Sequence, residues 1–278
     1  MRTTHWRTFI ELDGCSAAGQ MARDDALARE PVPTVRLFCW RPPAVSWGLR
    51  QVPPSWLAQV LAPASELEGV ERPSGGGIAF HGSDVSLSVV VPRESGLPVQ
   101  ELLRAVCASG AELCRSYGVE AHAALHPAPG GGPRPSGRGG VHQERAARLT
   151  YCLAEPSPYA VLVAGRKVAG YALRRYAETW LVQGSLLVGP IPARLRSVMP
   201  EGVSARVTAF SLPLAEAAGR PLDPADVARR WADRWGTWWP VVSGSSLPVS
   251  GSSRSDLNSE VPDTGRAVPD TVEPCHAL

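Results

Sequence analysis

Arg72–Asp84 reads RPSGGGIAFHGSD and runs directly into VSLSVVVP, Val85–Pro92. Three adjacent glycines carry no Cβ, so a ligand can approach this backbone closely. The N–H groups of Gly75, Gly76 and Gly77 can cradle an anion or an acyl carbonyl. Arg72 offers charge on one side of the triplet, and His81 a polar group on the other. The alternating run that follows predicts a β-strand over Val85–Val91. A GGG on its own is ordinarily a flexible hairpin loop. The segments around it give this one a second reading.

Working outward, Trp6–Leu12 and Val35–Trp40 predict strands, and Ala17–Glu30 and Ser55–Leu61 predict helices. Glu101–Gly118 is an amphipathic helix closed by Gly118, with Leu102, Val106, Leu113 and Tyr117 on its inner face. Cys107 and Cys114 on that helix read as small core residues. YAVLVAGRKVAGYALRR (Tyr159–Arg175) predicts two strands around a Gly165-Arg166 turn, and Thr179–Val188 a further strand. A last helix starts at an Asp223 N-cap with Pro224 behind it. Its Val227, Trp231 and Trp235, spaced four apart, read as core. Helices with mostly antiparallel strands predict an α+β fold, a single domain over 1–240 whose mixed sheet is flanked by helices. Residues 126–147 lie in a Gly/Pro-rich stretch and predict a flexible loop. Residues 241–278 are rich in Ser, Pro, Gly and Asp and predict a disordered tail.

The chain has 278 residues, 44% of them hydrophobic, enough for a sizeable core. A net charge of +2 argues against bulk nucleic-acid binding. The six cysteines are scattered with no CxxC pair, which predicts free thiols in a reducing, cytoplasmic setting. No apolar run reaches the roughly 20 residues needed to span a bilayer, so no membrane association is expected. His122 and His126 lie four apart, but no third ligand accompanies them, and no metal site is predicted.

Four segments in order carry a resemblance: MARDDALARE (Met21–Glu30), WRPPAVSWGLRQ (Trp40–Gln51), the glycine loop, and GRKVAGYALRR (Gly165–Arg175) followed by VQGSLLV. Their order and spacing resemble the biotin/lipoate protein ligase catalytic family, in particular its lipoate branch, over about Met21 to Val188. The resemblance implies that family's α+β catalytic fold. It also implies that Lys167, the only lysine in the chain, points at the activated acyl group. There an ammonium can stabilise an oxyanion or an adenylate phosphate. It implies an acyl- or adenylate-binding role for Arg72, Ser74, Gly75, Gly76, Gly77, His81, Gly170 and Ala172. Arg166, Arg174 and Arg175 cluster around the lysine turn. They read either as a solvated face or as a docking patch for an acidic partner.

Within that family, TYCLAEPSPYAVLVAGRKVAG resembles the cysteine-dependent octanoyltransferases, in which a cysteine segment and a Pro-Ser-x-Tyr-like stretch precede the lysine turn. Cys152 stands fifteen positions before Lys167. Thioester exchange suits cysteine, because reactant and acyl-enzyme are thioesters of similar energy. A free thiol has a pKa of about 8.5, so a nearby cation raises its reactive fraction. The resemblance thus implies transfer of octanoate from octanoyl-acyl carrier protein to a lysine of a lipoyl-domain protein. Acceptors of that kind are the glycine cleavage H protein and the 2-oxoacid dehydrogenase acyltransferase subunits. No cofactor is needed. Two alternatives stay open: an ATP- and Mg-dependent lipoate–protein ligase acting through lipoyl-AMP, and a catalytically impaired lipoyl-domain-binding paralogue. The chain departs from the family pattern at Gln183-Gly184-Ser185, where His-Gly-Ser or His-Gly-Thr is usual. It departs again at Gly170-Tyr171-Ala172, where Gly-Ser-Ala is usual, and the bulk of Tyr171 predicts a narrowed acyl tunnel.

Overall fold

A computed structural model describes residues 6–61, 67–124, 151–154 and 157–242. The whole expected loop at 126–147, His126 included, and residues 243–278 of the expected tail at 241–278 lie outside the described residues. Seven strands form the main sheet: β1 (Arg7–Glu11), β2 (Thr34–Phe38), β6 (Asp84–Pro92), β7 (His122–Ala124), β8 (Ala160–Val163), β9 (Arg166–Arg175) and β10 (Thr179–Leu187). Their order is β1-β2-β6-β10-β9-β8-β7, antiparallel except for the β1–β2 pair. A smaller sheet, β4-β3-β5, joins β3 (Ala44–Trp47), β4 (Glu68–Glu71) and β5 (Ala79–Phe80). The fold is therefore the α+β arrangement expected, with a mixed and mostly antiparallel sheet.

The alternation in VSLSVVVP sorts the two faces of the main sheet. Val85, Leu87, Val89 and Val91 face α3 (Val99–Arg115) and α7 (Pro224–Val242) in the largest apolar cluster. There Leu102, Val106, Leu113, Val227 and Trp231 are fully buried. Ser86 and Ser88 face the other way, toward α1 (Ala17–Arg29) and the small sheet. This second face carries Arg36, Asp84, Gln183 and Ser185 as well, all partnered by hydrogen bonds. A polar sheet face under a cover is tolerated only when its groups are satisfied.

Local signals account for the ends of elements. The Ser16 Oγ accepts the Gly19 N–H at 3.1 Å and caps α1. Gly118 adopts φ +80° just past α3. The β8–β9 turn is Ala164-Gly165, both at positive φ, one position earlier than the Gly165-Arg166 turn expected. A two-residue hairpin of this hand needs positive φ at both central residues, and Arg166 is already a strand residue paired with Val163. α2 (Ser55–Val60) follows β3, and three short helices, α4 (Ala193–Val198), α5 (Glu201–Phe210) and α6 (Leu214–Ala217), lie between β10 and α7. The last three have no counterpart among the elements expected from sequence. Pro192, Pro200 and Pro213 occupy their N-cap positions. No helix among the described residues is long and apolar enough to cross a membrane.

Candidate active site

A cavity of about 240 Å³ opens on the polar face of the main sheet, over the middle of β6, β10 and β9. Its floor is three rows of paired residues: Ser86–Ser185–Gly170, Leu87–Gly184–Tyr171 and Ser88–Gln183–Ala172. The middle row sends its side chains to the opposite face. A Cβ on Gly184 would run into the Tyr171 ring, and one on Gly110 of α3 into the Tyr171 hydroxyl. The bulk of Tyr171 therefore lies between sheet and α3 rather than in the tunnel, because strand side chains alternate faces. This replaces the narrowing expected from sequence. Burial pushes the Tyr171 phenol well above its ordinary range. Among the described residues its oxygen has no hydrogen-bond partner.

Met21 of α1, Phe38 at the end of β2, Trp40 just past it, Ala79 and Tyr151 give the cavity apolar walls. Cys152 and Lys167 also line it. The segment holding Cys152 is tied to the glycine loop, since Ile78 bridges Tyr151 in parallel and the Cys152 N–H donates to the Ile78 carbonyl at 2.7 Å. Lys167 is 4% exposed, and its Nζ donates to the Cys152 carbonyl at 2.8 Å. The point where a Gly170 side chain would begin lies 3.4 Å from the Cys152 Sγ and 3.9 Å from the Lys167 Nζ. A thiol and an ammonium thus meet over a bare backbone.

A β-bulge brings Lys167 to this face. Leu162 pairs with Lys167 but Val161 pairs with Ala169, so Val168 is one residue too many for its partner strand. An extra residue reverses the alternation. Lys167 and Gly170 then share the cavity face, although three positions apart on a regular strand would put them on opposite faces.

The glycine loop is held from behind. Arg72 donates to the Ser46 Oγ at 2.7 Å, to the Gly75 carbonyl at 3.1 Å and to the Gly77 carbonyl at 2.7 Å. Its guanidinium is spent on the loop, and burial lowers its pKa. In a trans peptide the N–H points opposite to the preceding carbonyl, so the Gly76 N–H points away from Arg72. Gly48, just past β3, supports the loop from below. A Cβ there would collide with the Gly76 carbonyl and stand 2.9 Å from the Gly75 carbonyl carbon.

His81 stacks on Trp40 at 4.0 Å and lies between two partners, the Asp84 Oδ2 at 2.8 Å and the Ser46 Oγ at 2.7 Å. A carboxylate accepts, so Nδ1–H donates to Asp84, while Nε2 faces the Ser46 hydroxyl. Burial alone would raise the Asp84 carboxyl. The His81 charge, with hydrogen bonds from His81, Ser185 and the Gly82 N–H, holds it below the usual carboxylate range instead. Ser74 donates through both N–H (3.2 Å) and Oγ (2.5 Å) to the Gln183 Oε1. Sequence reasoning gave no role to Asp84, Asp24, Ser46 or Gly48, and marked Gln183 only as a departure from the family pattern. The stretches that carried the resemblance contain all of them, but nothing in spacing told which partner each would meet.

The arginines near the lysine turn divide. Arg166 donates to the Thr208 and Ser211 carbonyls and to Glu216. Arg174 donates to the Pro73 carbonyl at 2.9 Å and lies over the Tyr176 ring. Arg175 is exposed. Among the described residues no group of His, Cys, Asp and Glu could hold a metal ion.

The family model for the lipoyl protein ligase A/B catalytic domain matches residues 16–235. An octanoyltransferase LipM of Symbiobacterium thermophilum is 36% identical over 253 residues, covering 82% of this chain and 84% of that protein. An octanoyltransferase LipM of Bacillus subtilis is 30% identical over 196 residues, covering 68% and 67%. Among solved structures, the bi-partite lipoate protein ligase of Thermoplasma acidophilum shares the fold, with a TM-score of 0.59 at 15% identity over 88% of this chain and 86% of that one.

Proposed function

The chain belongs to the lipoyl protein ligase A/B catalytic-domain family, and on that premise we propose that it is an octanoyltransferase acting through a thioester on Cys152. The Cys152 thiolate attacks the carbonyl of an octanoyl thioester on acyl carrier protein. A C–S bond forms, the carrier's thiolate leaves, and it takes up the proton that Cys152 gave. The ε-amine of a lysine on a lipoyl-domain protein then attacks the acyl-enzyme. An amide forms, and Cys152 departs as a thiolate that recovers a proton from the amine. In both steps negative charge develops on the carbonyl oxygen, where a fixed ammonium and backbone N–H groups are most effective. Lys167 and the N–H groups of Gly75–Gly77 take that role, and His81 with Asp84 keeps the loop in shape. Arg175 is the residue of the arginine cluster that remains available for an acidic carrier.

One observation carries the reading: the Cys152 Sγ and the Lys167 Nζ converge on the bare backbone of Gly170 inside an apolar cavity. The relatives named octanoyltransferase LipM support the same choice. Incubation with octanoyl-acyl carrier protein, followed by intact mass spectrometry, tests the proposal. One octanoyl group on the wild type and none on Cys152→Ala is expected. No adduct, or an adduct that persists in Cys152→Ala, would overturn the Cys152 mechanism; acylation of a lipoyl domain from free lipoate that requires ATP and ignores that substitution would overturn it in favour of a ligase.

A further inference from the structure

One residue of the cavity floor, Gln183, sits at a junction of buried hydrogen bonds. Gln183 is 6% exposed, on the cavity floor between Ser88 and Ala172. Its Oε1 accepts the N–H and the hydroxyl of Ser74, the residue that opens the glycine triplet. Its Nε2 donates to the Asp24 Oδ2 at 2.6 Å. Asp24, fully buried on α1, also accepts from the Ser88 Oγ at 2.5 Å and from the Arg36 Nη1 at 2.7 Å. Arg36 is itself fully buried and reaches the part-buried Glu11 at the sheet edge. The amide thus closes a continuous path from the charged pair on α1 and β2, across the cavity floor, to the first residue of the loop.

We propose that Gln183 is a positioning residue for acyl transfer: it fixes Ser74, and through Ser74 the aim of the Gly75–Gly77 amides, by tying them to Asp24. A side chain can do this only if it donates on one side and accepts on the other. A primary amide does so, its oxygen taking both Ser74 donors. A neutral imidazole, with one ring nitrogen protonated and the other bare, makes the same bridge but takes only one of them. That shared donor-and-acceptor bridge fits the histidine that the resemblance leads one to expect here, and reads the departure as a kept link rather than lost activity. An aliphatic side chain would strand two buried donors, the Ser74 N–H and hydroxyl, and remove one of the hydrogen bonds to Asp24. A carboxylate would face Asp24 with no donor between them.

The proposal rests on the octanoyl-transfer reading for its kinetic arm and stands apart from it in the other. The variants are Gln183→Leu, Gln183→His, Ser74→Ala and the Gln183→Leu/Ser74→Ala double. Amide hydrogen exchange, read by mass spectrometry on the folded proteins without substrate, should show the peptide around Ser74 to Gly77 losing protection at least tenfold in Gln183→Leu and regaining it in Gln183→His. The rate of Cys152 acylation should fall at least tenfold in Gln183→Leu, through kcat rather than KM, and recover most of that loss in Gln183→His. The double variant should be no worse than Gln183→Leu, because both remove one link. Unchanged loop exchange in Gln183→Leu, or equal damage in Leu and His, overturns the proposal. A wild type that never forms the thioester overturns the octanoyl-transfer reading, while the exchange data still decide the role of Gln183.

Discussion

At the scale of single residues, burial separates one set of cysteines from another. Burial pushes the Cys39 thiol to about 11 and the Cys107 and Cys114 thiols to about 12. Cys15 and Cys152 are part-exposed. Only a thiolate alkylates readily, so iodoacetamide at pH 8 should modify Cys15 and Cys152 and leave Cys39, Cys107 and Cys114 untouched in peptide mass spectra of the native protein. Asp84 gives a second, pH-dependent expectation. Its folded pKa is depressed, so its carboxylate stabilises the fold above the ordinary carboxylate range, and that contribution is lost as pH falls through the folded value. Asp84→Asn should cost about 1.5–3 kcal/mol at pH 7, the usual range for hydrogen bonds to a charged group. The deficit should shrink below about pH 4, as thermal melts across pH would record. The sequence named His81 but not its partner three positions on, because the motif told which residue types were present and not which atoms they met.

At the scale of elements, two local devices place the candidate site. The bulge at Val168 turns Lys167 onto the cavity face. It was not legible from GRKVAGY, because a bulge is defined by the partner strand, and β8 supplies that register. Gly48 lets the end of β3 touch the glycine loop. Gly48→Ala would drive a methyl into the Gly76 carbonyl, which is backbone and cannot swing aside. The loop must then shift, and a misplacement on the order of 1 Å can cost about 100-fold in rate. Gly48→Ala should therefore lose acyl transfer by roughly that factor while keeping its far-ultraviolet circular dichroism. Full activity would show that the loop tolerates displacement.

At the scale of the whole molecule, the sheet separates stability from chemistry. One face carries the largest apolar cluster with α3 and α7, and the other carries the polar floor and the cavity. Trp231 is fully buried in that cluster, with its Nε1 directed to the Ser109 Oγ at 3.3 Å. Truncating a buried tryptophan costs about 3–5 kcal/mol. Trp231→Ala should lower the urea midpoint accordingly. In whatever fraction stays folded, the rate of Cys152 acylation should stay close to wild type, since the sheet intervenes.

The sequence alone determined the alternating strand behind the glycine loop, the helices ahead of it and at the C-terminal side, and the residue types gathered around the cavity. These rest on periodicity, capping and glycine content, which are local and survive in a single string of letters. Only the tertiary structure decided which face each of those residues took. It sent Tyr171 away from the tunnel, spent Arg72 on the loop carbonyls, joined His81 to Asp84 and Ser46, and linked Ser74 through Gln183 to Asp24. The reason is that strand register and hydrogen-bond partnership depend on where side chains and separate segments meet, up to a hundred or more residues apart as between Ser74 and Gln183, and no local preference encodes them.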